Sequence, residues 1–186
     1  MNRWLYSLAV VSLLALAAPA ASDDAFQMSS PAFKDGDLLP ATYLYDSIGV
    51  DKTACGGQNQ SPPLAWVNPP AGTQSFALVI FDPDGMNGTG VTHWVAYNLP
   101  PAKTSVALGE GAPGAGAFTN GLQQFGLLGY RGPCPPKGQS PHHYVMTVYA
   151  LDLPPTLATG MTRAELLAAL DKHILRASSI VGRVVR

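Results

Sequence analysis

The order of apolar and polar positions divides the chain into an apolar leader, a set of extended segments and one late helical segment. Residues 62–82, PPLAWVNPPAGTQSFALVIFD, hold two apolar stretches joined by a Pro/Gly turn. Leu64–Val67 is short and stops at Asn68-Pro69-Pro70. Ser75–Asp82 contains the unbroken apolar run Phe76–Phe81, too short for a typical helix and suited to a buried strand. Val91–Leu99 is β-branched and aromatic and ends at Pro100-Pro101. His143–Leu151, HYVMTVYAL, is the strongest strand pattern and stops before Pro154-Pro155. Weaker strands are expected at Phe26–Pro31 and Tyr43–Asp46. Between Gly109 and Gly138 the pattern breaks down into Gly and Pro with few periodic apolar positions, the mark of a long functional or irregular loop. Helical spacing appears only late. Thr162-Arg163-Ala164-Glu165 fits a capping box, and Leu166, Leu167, Leu170, Ile174 and Leu175 then share one face. Many strands and one terminal helix predict an all-β fold: an antiparallel β-sandwich with a C-terminal helix and short flanking helical segments.

The leader changes the picture of where this fold works. Arg3 precedes an almost wholly apolar stretch, Leu5–Ala18, followed by Ala18-Pro19-Ala20 and the acidic pair Asp23-Asp24. That is the layout of a secretory signal peptide over residues 1–20, with cleavage between about residues 20 and 22. The run is shorter than the ~20 residues that span a bilayer, and no later stretch is long enough, so the mature chain is expected to lack a transmembrane segment. A single domain over 23–186 follows, periplasmic or secreted. About 165 residues suffice for one core but not comfortably for two. With 12% charged residues and a formal net charge of −1, the chain has no basic footprint for nucleic acid and no polybasic anchor. Its 19 Gly and 17 Pro favour turns. Two cysteines, Cys55 and Cys134, in an oxidising compartment point to a disulfide. Neither has a Cys or His at zinc spacing, so no metal is expected.

Candidate chemistry gathers at strand ends. Asp82 closes the apolar strand before Pro83-Asp84-Gly85, His93 lies inside the next strand, and His142 and Tyr144 flank His143 at the start of the strongest one. Alternation puts His142 and Tyr144 on one face and His143 on the other. Imidazoles and a phenol donate hydrogen bonds, a protonated imidazole adds positive charge, and a carboxylate can fix a tautomer or meet a ligand's ammonium. Taken singly, Asp82 is a turn residue, His93 a core histidine, Tyr144 a packed phenol, His143 a solvated side chain, and His173 a packing residue on the terminal helix.

Several segments together resemble the phosphatidylethanolamine-binding protein family, also called the Raf kinase inhibitor protein family, in its bacterial branch. They are Asn59-Gln60-Ser61-Pro62-Pro63-Leu64-Ala65-Trp66, Ser75-Phe76-Ala77-Leu78 leading to Asp82-Pro83-Asp84, and His93-Trp94-Val95 with Asn98-Leu99-Pro100. Gly132-Pro133-Cys134-Pro135-Pro136, His142-His143-Tyr144 and Val148-Tyr149-Ala150-Leu151-Asp152 complete the set. They occur in family order over most of the mature chain. The resemblance implies antiparallel sheets and one small pocket for a phosphate-like anion or phosphorylethanolamine-type headgroup. Its expected ligand-binding residues are Asp82, His93, Gly132, Pro133, Pro135, His142 and Tyr144, with the loop around Gly132 to Pro136 giving a wall and backbone N–H groups. A Cys55–Cys134 disulfide would pin that loop. Two positions depart from the family pattern: Gly85-Met86 follows Asp82-Pro83-Asp84, and His143 stands where Arg is usual.

The leading functional reading is therefore an exported, non-enzymatic binding protein for a small anionic or phosphorylated ligand, with no cofactor. The chain has no G-x-S-x-G elbow and no phosphate-cradling P-loop. Two other readings stand beside it: a hydrolase using the same His/Asp pocket, and an extracytoplasmic inhibitor of a protein partner.

Overall fold

The computed structural model describes residues 25–186, so the leader reading falls outside the described residues. Among the described residues there are eight strands: β1 (Gln27–Ser29), β2 (Leu64–Val67), β3 (Ser75–Asp82), β4 (Val91–Leu99), β5 (Ser105–Val106), β6 (Thr119–Asn120), β7 (His142–Leu151) and β8 (Ile174–Val184). They form a three-stranded sheet, β1-β2-β5, and a five-stranded sheet, β6-β4-β3-β7-β8. Every named strand pair is antiparallel. The Pro/Gly turn between β2 and β3 is thus a crossing from one sheet to the other rather than a hairpin. The fold is the all-β sandwich that the strand pattern predicted.

The apolar run of β3 is explained by burial on both faces. Phe76, Leu78 and Ile80 point between the sheets and pack with Met28, Trp66, Trp94, Met146 and Val148. Ala77 and Val79 point the other way, with Val95, Tyr97 and Leu151, beneath Leu166 and Leu170 of the helical segment. A strand in the middle of a sheet with both faces covered reads as continuous hydrophobicity, not alternation. Leu166 and Leu170 are fully buried, each contributing roughly 1.5–3 kcal/mol by removal from water.

The capping box forms as its sequence implies. Thr162 Oγ1 accepts from the Glu165 N–H, and the Glu165 carboxylate accepts from the Thr162 N–H at 2.8 Å. The helix, however, covers only Arg163–Ala169. Lys172 adopts a left-handed φ of 65°, and Ile174 begins the eleven-residue strand β8. The chain therefore closes on a strand paired along the whole of β7, and Ile174 and Leu175 leave the helical face assigned to them. His173 likewise is not a packing residue of the helix. It sits half-exposed in the turn, with Nδ1 2.8 Å from the Asp152 carboxylate.

The expected strand at Tyr43–Asp46 is also absent. A 3₁₀ turn, Ala41–Tyr43, occupies its start. The backbone bonds of the following residues go to loops on either side, Tyr45 N–H to Pro133 O and Gly57 N–H to Tyr45 O, both at 3.0 Å. β-type composition there serves a loop junction and not a ladder.

Candidate ligand-binding site

Antiparallel pairing places the C-terminal end of β3 between the N-terminal ends of β4 and β7. Asp82, His93, His142 and Tyr144 therefore meet at one edge of the sandwich, where all four are buried. His93 reaches this position through a β-bulge. Ile80 pairs with Trp94 and Phe81 with Thr92, so His93 has no residue opposite. Simple alternation would send His93 to the helix-covered face with Val95 and Tyr97. An extra residue on one strand bends it and re-aims the side chain, and the His93 ring instead stands edge-on to the Tyr144 ring, centroids 5.0 Å apart at 75°.

Asp82 is 3% exposed and its carboxylate accepts three hydrogen bonds. Oδ2 accepts from His142 Nδ1 at 2.8 Å, and Oδ1 accepts from the N–H groups of Asp84 (2.9 Å) and Gly85 (3.0 Å). A buried charge persists only with such partners. The tight turn explains Gly85: a Cβ there would lie 2.6 Å from Val91 Cγ2. Met86 and Asn87 follow with left-handed φ values of 51° and 57°, which presents Met86 to solvent at the pocket rim. Asp84 Oδ2 accepts from both the backbone N–H (2.8 Å) and Nδ1 (2.9 Å) of His143, tying this turn to β7. His143 points away from the site.

The two imidazoles are not equivalent. His142 places Nδ1 on Asp82 and Nε2 on Gln139 Oε1 at 2.9 Å. His93 Nδ1 lies 2.7 Å from the Arg131 carbonyl. A carbonyl only accepts, so Nδ1 carries the proton and Nε2 is left as an acceptor. Desolvation lowers the His93 pKa to about 4, against the opposing pull of the hydrogen bond to the Arg131 carbonyl and of the Asp82 charge. His93 is thus neutral at pH 7 and brings no positive charge to the site. Tyr144 is pushed upward by burial and then by the Asp82 charge, so its phenol remains a protonated donor.

These groups line a pocket of about 720 Å³. Gly132, Cys134, Pro135 and Pro136 form one wall, and Cys55 is bonded to Cys134 with Cα atoms 5.4 Å apart. Two of the residues expected in this loop have partners within the protein. Pro133 is buried behind the wall, where its carbonyl accepts from Tyr45. The Gly132 N–H is committed to Asn59 Oδ1 at 2.7 Å. Gly132 is a packing glycine, since a Cβ would come within 2.4 Å of the Tyr45 backbone nitrogen. Arg186 fastens the loop from below, donating to Pro135 O (2.8 Å), Thr53 Oγ1 (2.7 Å) and Ala54 O (2.6 Å). Among the pocket residues not anticipated from sequence are Met86, Phe125, Arg131 and Gln139. A signal for one of them existed, because Arg131 and Lys137 are the sole cations between Gly109 and Gly138. Among the described residues no group of three or more His, Cys, Asp or Glu could hold a metal ion.

An all-β sandwich with one polar pocket at the strand ends is the class of protein defined by these features. Residues 29–185 match the family described as phosphatidylethanolamine-binding protein, and the chain belongs to that family. It is 37% identical over 159 residues to a UPF0098 protein of Methanothermobacter thermautotrophicus, covering 83% of this chain and 95% of that one. A putative lipoprotein, LppC, of Mycobacterium tuberculosis is 38% identical over 154 residues, 81% of this chain and 69% of its own length. The crystal structure of Escherichia coli YbcL, described as a new member of the mammalian PEBP family, superposes with a TM-score of 0.78 at 30% identity. That match covers 87% of this chain and 98% of YbcL. A Chlamydia trachomatis homologue, CT736, gives 0.74 at 31% identity, covering 88% and 99%.

Proposed function

We propose that this protein is an exported binding protein whose pocket takes a small phosphate-like anion or a phosphorylethanolamine-type headgroup. The observation that carries the reading is the meeting of Asp82, His93, His142 and Tyr144 from three neighbouring strands at one pocket. The Tyr144 hydroxyl supplies a donor for a phosphoryl oxygen. The Asp82 carboxylate and the free nitrogen of His93 supply acceptors for an ammonium or for a protonated phosphate oxygen. Such a mixed set matches a headgroup that carries both signs of charge. Export is supported by the leader pattern, by the disulfide and by the relative named as a putative lipoprotein.

The hydrolase reading has one observation in its favour, the 2.8 Å Asp82–His142 bond, which orients an imidazole as a general base would require. Against it, the hydrogen bonds of both rings go to a carboxylate, an amide and a carbonyl, and none goes to a hydroxyl or thiol nucleophile.

Titration calorimetry with phosphorylethanolamine and with inorganic phosphate tests the binding reading. Tyr144→Phe removes one donor without disturbing the core and should weaken binding by about 1 kcal/mol. Failure of the wild-type protein to bind either compound would end this reading. Turnover of a phosphoester that is lost in His142→Ala would replace it with the enzymatic one.

A further inference from the structure

Since His93 is neutral at pH 7 and the His142 ring is engaged by Asp82, an anion in this pocket needs its positive charge from elsewhere. Arg131 lines the pocket, and its guanidinium carbon lies 3.9 Å from the centroid of the Tyr45 ring and 4.1 Å from that of Phe125. Two aromatic faces thus hold the planar group, and stacking leaves the N–H edge unobstructed. Among the described residues the Arg131 side chain forms no ion pair and donates no hydrogen bond to protein. Arg186, by contrast, donates to four acceptors. The Arg131 backbone is fixed as well, its N–H donating to His93 O at 2.9 Å while its carbonyl accepts from His93 Nδ1 at 2.7 Å. Residue 131 is therefore rigid at the backbone, clamped at the head group and left with its donors uncommitted beside a pocket.

We infer that Arg131 is the anion anchor and the specificity-determining residue of this pocket, its guanidinium edge gripping two oxygens of a phosphoryl group while Tyr45 and Phe125 hold it in place. The inference rests on the phosphoryl-binding reading above and adds the source of charge that the strand-end residues lack. A planar fork matches two coplanar oxygens in a way a lysine ammonium does not. The aromatic clamp removes rotamer freedom before binding, which lowers the entropic cost of gripping the ligand. Phosphoryl groups free or within a headgroup share this chemistry, so both belong in the test.

The experiment measures affinity for inorganic phosphate and for phosphorylethanolamine by calorimetry in the wild-type protein, Arg131→Gln, Arg131→Lys and Phe125→Leu. Arg131→Gln should weaken both ligands ten- to a hundredfold, the value of a charged bidentate contact. Arg131→Lys should recover only part of that loss, because charge returns without the fork. Phe125→Leu should weaken binding severalfold, yet have no effect in the Arg131→Gln background, since the clamp acts only through the arginine. Phe125 is 47% exposed, so this variant tests the clamp without emptying the core. Phosphate should also protect Arg131 in the wild-type protein from an arginine-selective dicarbonyl reagent, read by peptide mass, which needs no variant to fold. Wild-type binding that Arg131→Gln leaves unchanged, or modification of Arg131 at the same rate with and without phosphate, overturns the inference and leaves the binding reading standing. A larger loss for phosphorylethanolamine than for phosphate on Arg131→Lys supports it and shows that the headgroup is the better fit. Absence of wild-type binding overturns both.

Discussion

Removing the disulfide should cost stability while leaving the pocket working. Cys55 and Cys134 are separated by 79 residues in sequence, and closing a loop of that length in the unfolded chain corresponds to about 4.5 kcal/mol of stabilisation by chain entropy. In a domain of this size that translates to a fall in Tm of roughly 10–18 °C. The native loops have other fastenings. Arg186 alone binds Thr53 and Ala54 on the Cys55 side and Pro135 on the Cys134 side, the Lys137 N–H reaches Asp51 at 3.1 Å, and Asn59 holds Gly132. Urea unfolding of Cys55→Ser/Cys134→Ser should therefore show the full loss in ΔG. The m-value should rise as well, because an unfolded chain without the cross-link exposes more surface. Phosphate affinity under native conditions should change little. A variant with unchanged stability and abolished phosphate binding would refute this reasoning, since the bridge would then act by shaping the native pocket and not by restricting the unfolded ensemble.

Two further outcomes follow from the strand-end groups. Asp82→Ala leaves three donors, two of them buried, without their acceptor and should cost roughly 2–4 kcal/mol in urea unfolding, whereas Asp82→Asn, which retains one oxygen for the two backbone N–H groups, should cost less than half of that. Equal losses for the two variants would show that charge, not acceptor count, is what the site requires. His93, with its folded pKa lowered to about 4 from an ordinary value near 6.5, binds its proton more readily in the unfolded chain. Its contribution is present above pH 6.5 and is lost as pH falls toward 4, a decline of about 3 kcal/mol by linkage. The slope of stability against pH between 6.5 and 4 should flatten in His93→Gln, and an unchanged slope would mean that His93 is not the group responsible.

How legible the fold was depended on how completely each strand is buried. β3, β4 and β7 are central, and their continuous or alternating apolar patterns leave no other element of the right length. β8 was hidden for the opposite reason. It is an edge strand with half of its positions toward solvent, so Arg176, Ser178 and Ser179 dilute its apolar content, and Leu166 to Leu175 mimic one helical face across what is in fact a turn. A signal was still present in Ile180-Val181-Gly182-Arg183-Val184, where the even positions are buried and the odd ones are not. β-branched residues alternating at period two outweigh two leucines at helical spacing once Lys172 breaks the helix with a left-handed φ. The strand expected at Tyr43–Asp46 is absent for a different reason, because the backbone partners there lie in loops that sequence patterning cannot place.

At the site, residue types were legible but their electrical states were not. A chain of letters can bring aspartate, histidine and tyrosine to strand ends, yet the charge on a histidine depends on what surrounds it. The bulge that turns His93 into the pocket is the same feature that buries it, and burial is what strips its proton. A fold that recruits a side chain by burying it must then find charge on a residue that stays partly solvated. Arg131 satisfies that condition: it remains half-buried, keeps its charge under all ordinary conditions, and is positioned by aromatic faces that take none of its donors. The division of labour is physical in origin, with the buried strand ends setting the pattern of donors and acceptors and the loop arginine setting the sign of what can bind.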